Sequence, residues 1–130
     1  MSVEQLKEMF NEVTLKKQAS KISVYYHPDF VLYANEQTMD YAHFLKAHEE
    51  IYKTDIQYKI EYDEATFLEQ GDKIAGRMWI TTKRGQDPVA KRIEVILIVQ
   101  YKEGKIYRLW ELTCPDWSKL PDFEVFSKNK

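Results

Sequence analysis

The chain has 130 residues, of which 44% are hydrophobic, 14% aromatic and 31% charged, and its formal net charge is −2. This length predicts a single domain over residues 1–130 with one core. Positive and negative side chains are interspersed, which excludes the basic stripe typical of nucleic-acid binding. The single cysteine, Cys114, excludes an intrachain disulfide and fits a reducing compartment, and no apolar stretch is long enough to span a bilayer. We therefore expect a cytoplasmic protein with neither a nucleic-acid nor a membrane partner.

The first part of the chain has helical spacing. Ser2 and Gln5 form a capping-box pattern, and apolar residues recur every three or four positions after them, which predicts an amphipathic helix. The apolar stripe resumes at Ala19, and helical structure should stop at His27 because a residue that precedes a proline disfavours helical geometry. We expect this helical segment to pack its apolar face against the rest of the domain.

A short strand and a second helix follow. Residues 30–34 read as the strand, and the helix is predicted to be capped by Thr38 or Asp40. His48 lies inside the apolar stripe of that helix, where it is either a core histidine with a satisfied hydrogen bond or a proton donor and acceptor.

The period changes to two from residue 56 onward. Apolar and polar residues alternate up to residue 62, the pattern slips near Glu64 in the manner of a bulge, and residues 73–82 read as the next strand. A buried hairpin closes the pattern, with arms at 93–101 and 106–113 around a turn at Gly104. The tail, residues 114–130, has no clear period and is predicted to be extended or coil.

Glu111 is the one carboxylate in the second arm of this hairpin. With a bulge at Gly104 it would lie opposite Val95 and share a face with Leu97 and Leu109, whereas a strict two-residue loop would place it beside Ile96 and Ile98. Both registers surround the acid with aliphatic side chains. The fold class predicted from this order of elements is α+β.

The phrases YYHPDFVLYAN, AHEEIY, RMWITT and IVQYKEGKIYRLWEL, in this order and spacing, resemble the SnoaL-like branch of the nuclear transport factor 2-like superfamily. The resemblance covers about residues 3–113. It implies a cone-shaped, curved antiparallel sheet wrapped over the N-terminal helices, with a deep apolar pocket between them. It also implies a homodimer through the outer sheet face, which here carries Ile96, Ile98, Arg108 and Trp110.

Part of the sequence also resembles the limonene-epoxide-hydrolase branch, which holds a water molecule with a Tyr, an Asn and an acid. Tyr33, Asn35 and Glu111 match those positions, and Arg77 matches an Arg that orients the acid. The Asp that should follow two residues later is Trp79, so the set is incomplete. The alternative without a catalytic role is a buried salt bridge between Glu111 and Arg77, or a pair between Arg77 and Glu94.

Other chemistries fit less well. The carboxylate that a ketosteroid isomerase needs near the end of the first strand is missing. His43 and His48 are five residues apart and cannot clamp one ion as an i, i+4 pair would, so we expect no metal site and no cofactor.

The sequence thus predicts a protein that binds a small, mostly apolar molecule in an interior pocket and performs acid–base isomerase, cyclase or hydrolase chemistry. The predicted catalytic residues are Glu111, His48 and Arg77, and the predicted substrate-binding residues are Tyr33, Asn35, Trp79, Val95, Leu97 and Leu109. The alternative is a noncatalytic module that binds a ligand or another protein, in which the same groups are structural.

Overall fold

The computed structural model describes residues 2–123. The chain opens with α1 (Val3–Met9), which continues as a π-helical segment, Phe10–Leu15. The Ser2 hydroxyl accepts a hydrogen bond from the Gln5 amide at 3.1 Å, so the capping residue is the predicted one. Leu6, Met9 and Val13 bury the inner face of this helical segment.

A short 3₁₀ turn, Ala19–Lys21, leads into α2 (Ile22–Tyr25) and then into β1 (Tyr26–Ala34). Helical structure therefore ends two residues before His27, and β1 is longer than the predicted strand. The hairpin strand β2 (Gln37–Asp40) was not predicted. Asp40 caps α3 (Tyr41–Ile51), because its side chain accepts from the His43 amide at 2.9 Å.

Four long strands make up the second half of the chain. They are β3 (Gln57–Gln70), β4 (Lys73–Lys83), β5 (Lys91–Lys102) and β6 (Lys105–Cys114). Within the described residues they join β1 and β2 in one six-stranded sheet of order β2-β1-β6-β5-β4-β3. The register of β3 shifts between Asp63 and Leu68, where a bulge was expected near Glu64.

The sheet departs from the predicted antiparallel pattern at one pairing. Strand β1 runs parallel to β6, with Leu32 beside Leu109 and Ala34 beside Glu111. The other pairings are antiparallel. The fold is α+β, with the N-terminal helices and α3 on one face of the sheet.

The β5–β6 register also differs from the expected one. A two-residue turn at Glu103 and Gly104 pairs Lys102 with Lys105, and a shift between Gln100 and Tyr101 then places Leu97 opposite Glu111. The two-residue loop was one of the two alternatives, but the shift moves Glu111 back to the face that carries Leu97 and Leu109. The observed partner of Glu111, Leu97, lies two residues from Val95, the partner in the predicted bulge register. Because side-chain direction in a strand repeats every two residues, Glu111 faces inward in both registers.

The described part of the tail lies on the cavity side of the molecule. It forms a short 3₁₀ turn, Trp117–Lys119, which the capping side chain of Asp116 stabilises. Trp117 and Phe123 from this segment contribute to the cavity wall. Residues 124–130 of the predicted tail lie outside the described residues.

Candidate functional site

A cavity of about 130 Å³ lies between the concave face of the sheet and the helices. Eighteen side chains line it: Phe10, Thr14, Tyr26, Leu32, Phe44, His48, Tyr52, Tyr58, Ile80, Thr82, Ile93, Val95, Leu97, Leu109, Glu111, Thr113, Trp117 and Phe123. An apolar cavity of about 150 Å³ can hold benzene, so this space suits a molecule of roughly one small ring.

Among the described residues that line the cavity, Glu111 is the one acidic side chain. Strand alternation turns it inward with Leu97 and Leu109, and its Oε2 accepts a hydrogen bond from Trp117 Nε1 at 2.9 Å. Burial raises the pKa of the Glu111 carboxyl to about 7, against the hydrogen bond from Trp117, which lowers it. At neutral pH this group can therefore both accept and donate a proton.

His48 lines the cavity from α3. Its Nδ1 lies 2.7 Å from the carbonyl oxygen of Phe44, a contact in which the ring nitrogen is the donor. Burial lowers the pKa of His48 to about 4, although the hydrogen bond to Phe44 acts in the opposite direction. The imidazole is therefore neutral at pH 7.

Aromatic rings from α3 and its C-cap, β1 and β3 form a continuous part of the cavity wall. Tyr26, Phe44, His48, Tyr52 and Tyr58 follow one another with centroid separations between 4.2 and 6.1 Å. Burial raises the phenol pKa of Tyr26, Tyr52 and Tyr58, so these three side chains stay neutral.

Of the predicted site residues, the structure brings together Glu111, His48, Val95, Leu97 and Leu109. It does not bring Arg77 to Glu111. Arg77 lies on the opposite face of β4, where its Nε donates to Glu94 at 2.8 Å and its guanidinium pairs with Asp63 at 3.1 Å. Of the two predicted partners, Arg77 thus contacts Glu94 and not Glu111, and Asp63 is a further partner that was not predicted.

Trp79 lies on the same outer face, with the guanidinium groups of Arg77 and Arg92 each 4.6 Å from its ring. Tyr33 also faces outward, since it is 39% exposed between the buried Leu32 and Ala34 and stacks on Trp110. Neither residue is among those that line the cavity.

Asn35 holds the backbone of β6 instead of facing the cavity. Its Nδ2 donates to the Thr113 carbonyl at 3.1 Å, its Oδ1 accepts from the Thr113 amide at 3.0 Å, and its own amide donates to the Glu111 carbonyl. Thr113 Oγ1 also accepts from the Trp117 amide at 3.4 Å. Asn35 is therefore linked through Thr113 to the residue that contacts the Glu111 carboxyl.

Sequence reasoning missed Trp117 and Phe123, because the tail has no hydrophobic period that would indicate which side chains turn inward. It also missed Thr82, which is 1% exposed and whose hydroxyl has no hydrogen-bond partner among the described residues. Thr82 and Glu111 line the same cavity, from β4 and β6.

Within the described residues, no three His, Cys, Asp or Glu side chains are grouped so as to hold a metal ion. None of the helices within residues 2–123 has the length and apolar character needed to cross a bilayer.

No protein-family model matches the sequence, and no curated protein matches it significantly. Solved structures do match the fold. An epoxide hydrolase of M. tuberculosis, described as LEH-like, is 10% identical, with 93% of this chain and 90% of that chain covered and a TM-score of 0.71. IdmH of Streptomyces antibioticus, a putative polyketide cyclase, is 11% identical, with 87% and 92% covered and a TM-score of 0.65.

A de novo designed protein with a curved β-sheet is 22% identical over 98% of both chains, with a TM-score of 0.63. Because a designed protein shares this architecture with natural proteins, the structural similarity is evidence for the fold and not for an activity. The chain has the α+β cone fold of the nuclear transport factor 2-like superfamily, which the resemblance in its sequence predicted.

Proposed function

We propose that the protein performs general acid–base chemistry on a small, mostly apolar molecule in this cavity, with Glu111 as the group that accepts and returns the proton. The observation that carries the proposal is the Glu111 carboxyl among aliphatic and aromatic side chains, with its pKa raised to about 7. Proton transfer by a side chain is most effective when its pKa lies near the working pH. Isomerases, cyclases and hydrolases all use such a step.

The surrounding residues divide the remaining tasks. Trp117 orients the Glu111 carboxyl through its indole N–H, and the apolar floor formed by Val95, Leu97 and Leu109 keeps water from competing for the proton. His48 is a neutral wall residue and not a general acid, because with a pKa of about 4 the ring does not carry the second, acidic proton at pH 7. Arg77, Tyr33 and Trp79 have no part in the proposed site because they lie on the outer face.

A proton-exchange assay tests this proposal without knowledge of the natural substrate. Cyclopentanone fits the cavity in size, and in D₂O its α-hydrogens exchange when a base removes them. We expect the wild-type protein to accelerate the exchange, measured by ¹H NMR, with a pH profile that inflects near 7. Glu111→Gln should abolish the acceleration, and Arg77→Met should retain it.

Exchange at the buffer rate with wild-type protein, or equal rates for wild type and Glu111→Gln, would contradict the proposal. The second result would favour the alternative function, a noncatalytic ligand-binding or protein-interaction module in which the buried acid is structural.

We also infer a homodimer formed through the outer sheet face. Ile96, Ile98 and Leu112 are 53%, 43% and 66% exposed on that face, and exposed apolar patches of this kind mark interaction surfaces. A cytoplasmic location is a further inference, supported by the unpaired, exposed Cys114, which fits a reducing compartment.

A further inference from the structure

We propose that the cavity recognises a compact organic cation, a protonated amine on a small apolar body, with the Glu111 carboxylate as its counter-ion. This inference deepens the proposed function and rests on it in one respect, namely that a small molecule must enter the same cavity.

The first support concerns the charges around the Glu111 carboxyl. Among the described residues, the Glu111 side chain has one polar partner, the neutral indole of Trp117, and none of the eighteen that line the cavity is Lys or Arg. An ionised carboxylate that is removed from water without a cationic partner is costly. In the free protein a bound proton can neutralise the carboxylate, because burial raises its pKa to about 7. An ammonium group of the ligand can replace the proton.

Two basic residues of the strands that line the cavity are paired with acids of their own. Arg77 pairs with Glu94 and Asp63 on the outer face, and Lys91 pairs with Asp87 and Asp122, at 2.8–3.3 Å. Within residues 2–123 no Lys or Arg side chain pairs with Glu111, so a proton or a cationic ligand can neutralise its carboxylate.

The second support is the chemistry of the walls. Seven of the eighteen lining residues are Phe, Tyr or Trp, and rings of this kind attract cations through their π faces. Trp117 touches the carboxylate itself, and Tyr26 is close enough that the charge of Glu111 raises the pKa of its phenol further, after burial. An anionic ligand would be repelled by Glu111, and none of the described lining residues is a Lys or Arg that would offset this repulsion.

A matched set of probes tests the proposal. Cyclopentylamine, cyclopentanol and cyclopentanecarboxylate share one ring and differ in charge, and each can be titrated at pH 7 while the Trp117 indole N–H resonance is followed by ¹⁵N NMR. We expect the amine to bind roughly tenfold or more tighter than the alcohol, and the carboxylate to bind most weakly. Amine binding should also release protons from the Glu111 carboxyl, measured as the dependence of the binding enthalpy on the buffer.

Two variants separate the charge of Glu111 from charge in general. Glu111→Gln should bring the amine and the alcohol to similar affinities, whereas Glu36→Gln, which removes an exposed carboxylate in the β1–β2 turn, should leave the preference intact. The proton-release measurement uses the wild-type protein and does not depend on either variant.

Equal binding of amine and alcohol, no proton release, or an amine preference that survives in Glu111→Gln would overturn the amine proposal while leaving a cavity for small apolar molecules. If none of the three probes binds, the amine proposal and the small-molecule cavity of the proposed function both fall.

Discussion

Glu111 links the chemistry of the cavity to the stability of the fold. Its pKa is raised from 4.5 to about 7, so between these values the folded protein keeps a proton that the unfolded chain has released. The stability that this group contributes is fully present below pH 4.5 and is lost as the pH rises through 7. Burial of His48 acts in the opposite sense, because its lowered pKa removes stability as the pH falls from 6.5 to about 4.

The variant Glu111→Gln isolates the first of these effects. Since Gln keeps the shape and cannot ionise, we expect it to be more stable than wild type by up to about 3 kcal/mol at pH 8 and nearly equal to it at pH 4. Urea unfolding of both proteins at several pH values gives the difference. A difference that stays constant across this range would mean that Glu111 is not a buried acid.

Asn35 is the second residue whose role can be measured directly. Its backbone φ of +52° is a conformation that Gly adopts freely, and its side chain makes the hydrogen bonds to Thr113. Asn35→Gly should therefore lose about 1–3 kcal/mol from the hydrogen bonds alone, and Asn35→Ala about 1 kcal/mol more from backbone strain. Denaturant unfolding decides this, and an Ala variant at least as stable as the Gly variant would contradict it.

At this scale the sequence located the acid, His48 and the aliphatic neighbours Val95, Leu97 and Leu109, but it misplaced four other site residues, Arg77, Trp79, Tyr33 and Asn35. Glu111 could be placed in an apolar setting because both candidate registers led there. Arg77, Trp79 and Tyr33 could not be assigned to a face, because apolar residues occur on both sides of β1 and β4 and the alternation is therefore ambiguous. A family pattern placed these three at the site, whereas the structure places them on the outer face of the sheet.

Among the elements, strand β4 contains a glycine, Gly76, that leaves space for the aromatic ring of Phe67. A Cβ at Gly76 would collide with the ring of Phe67, which the bulged part of β3 carries over this position. Gly76→Ala should cost about 1–3 kcal/mol through overpacking. In a Phe67→Ala background the same substitution should cost much less, because the ring that it displaces is gone.

A double-mutant cycle measured by thermal unfolding tests this coupling. If the costs of Gly76→Ala and Phe67→Ala simply add, the close packing does not exist. Gly71 is a suitable comparison, since a Cβ there meets no other atom and the cost of Gly71→Ala comes only from its φ of +61°.

Some features of the secondary-structure elements could be predicted from local sequence patterns, and others depend on long-range contacts. The capping of α1, the helix α3 and the four long strands follow from local spacing, so they could be predicted. The parallel pairing of β1 with β6 joins residues about 77 positions apart, and nothing in the local pattern of either strand encodes it. The same holds for Trp117, whose hydrogen bond to Glu111 depends on where the tail crosses the cavity.

At the scale of the whole molecule, the outer sheet face exposes a group of apolar side chains that a monomer would leave in contact with water. Ala75, Ile98, Trp110 and Tyr33 form a row of pairing neighbours across β4, β5, β6 and β1. Ile96 and Leu112 pair directly beside this row. The described part of the tail lies on the cavity side and covers none of it.

A second copy of the chain would remove this face from water, and we expect static light scattering at micromolar concentration to give twice the chain mass. Ile98→Lys places a charge in the centre of the row and should shift the protein to monomers, because an unpaired buried charge is costly. Val89→Lys is the matched control, since Val89 is an equally apolar, exposed residue in the β4–β5 loop, and it should remain dimeric. A wild-type protein of monomer mass, or an Ile98→Lys variant that stays dimeric, would show that the outer face has another purpose.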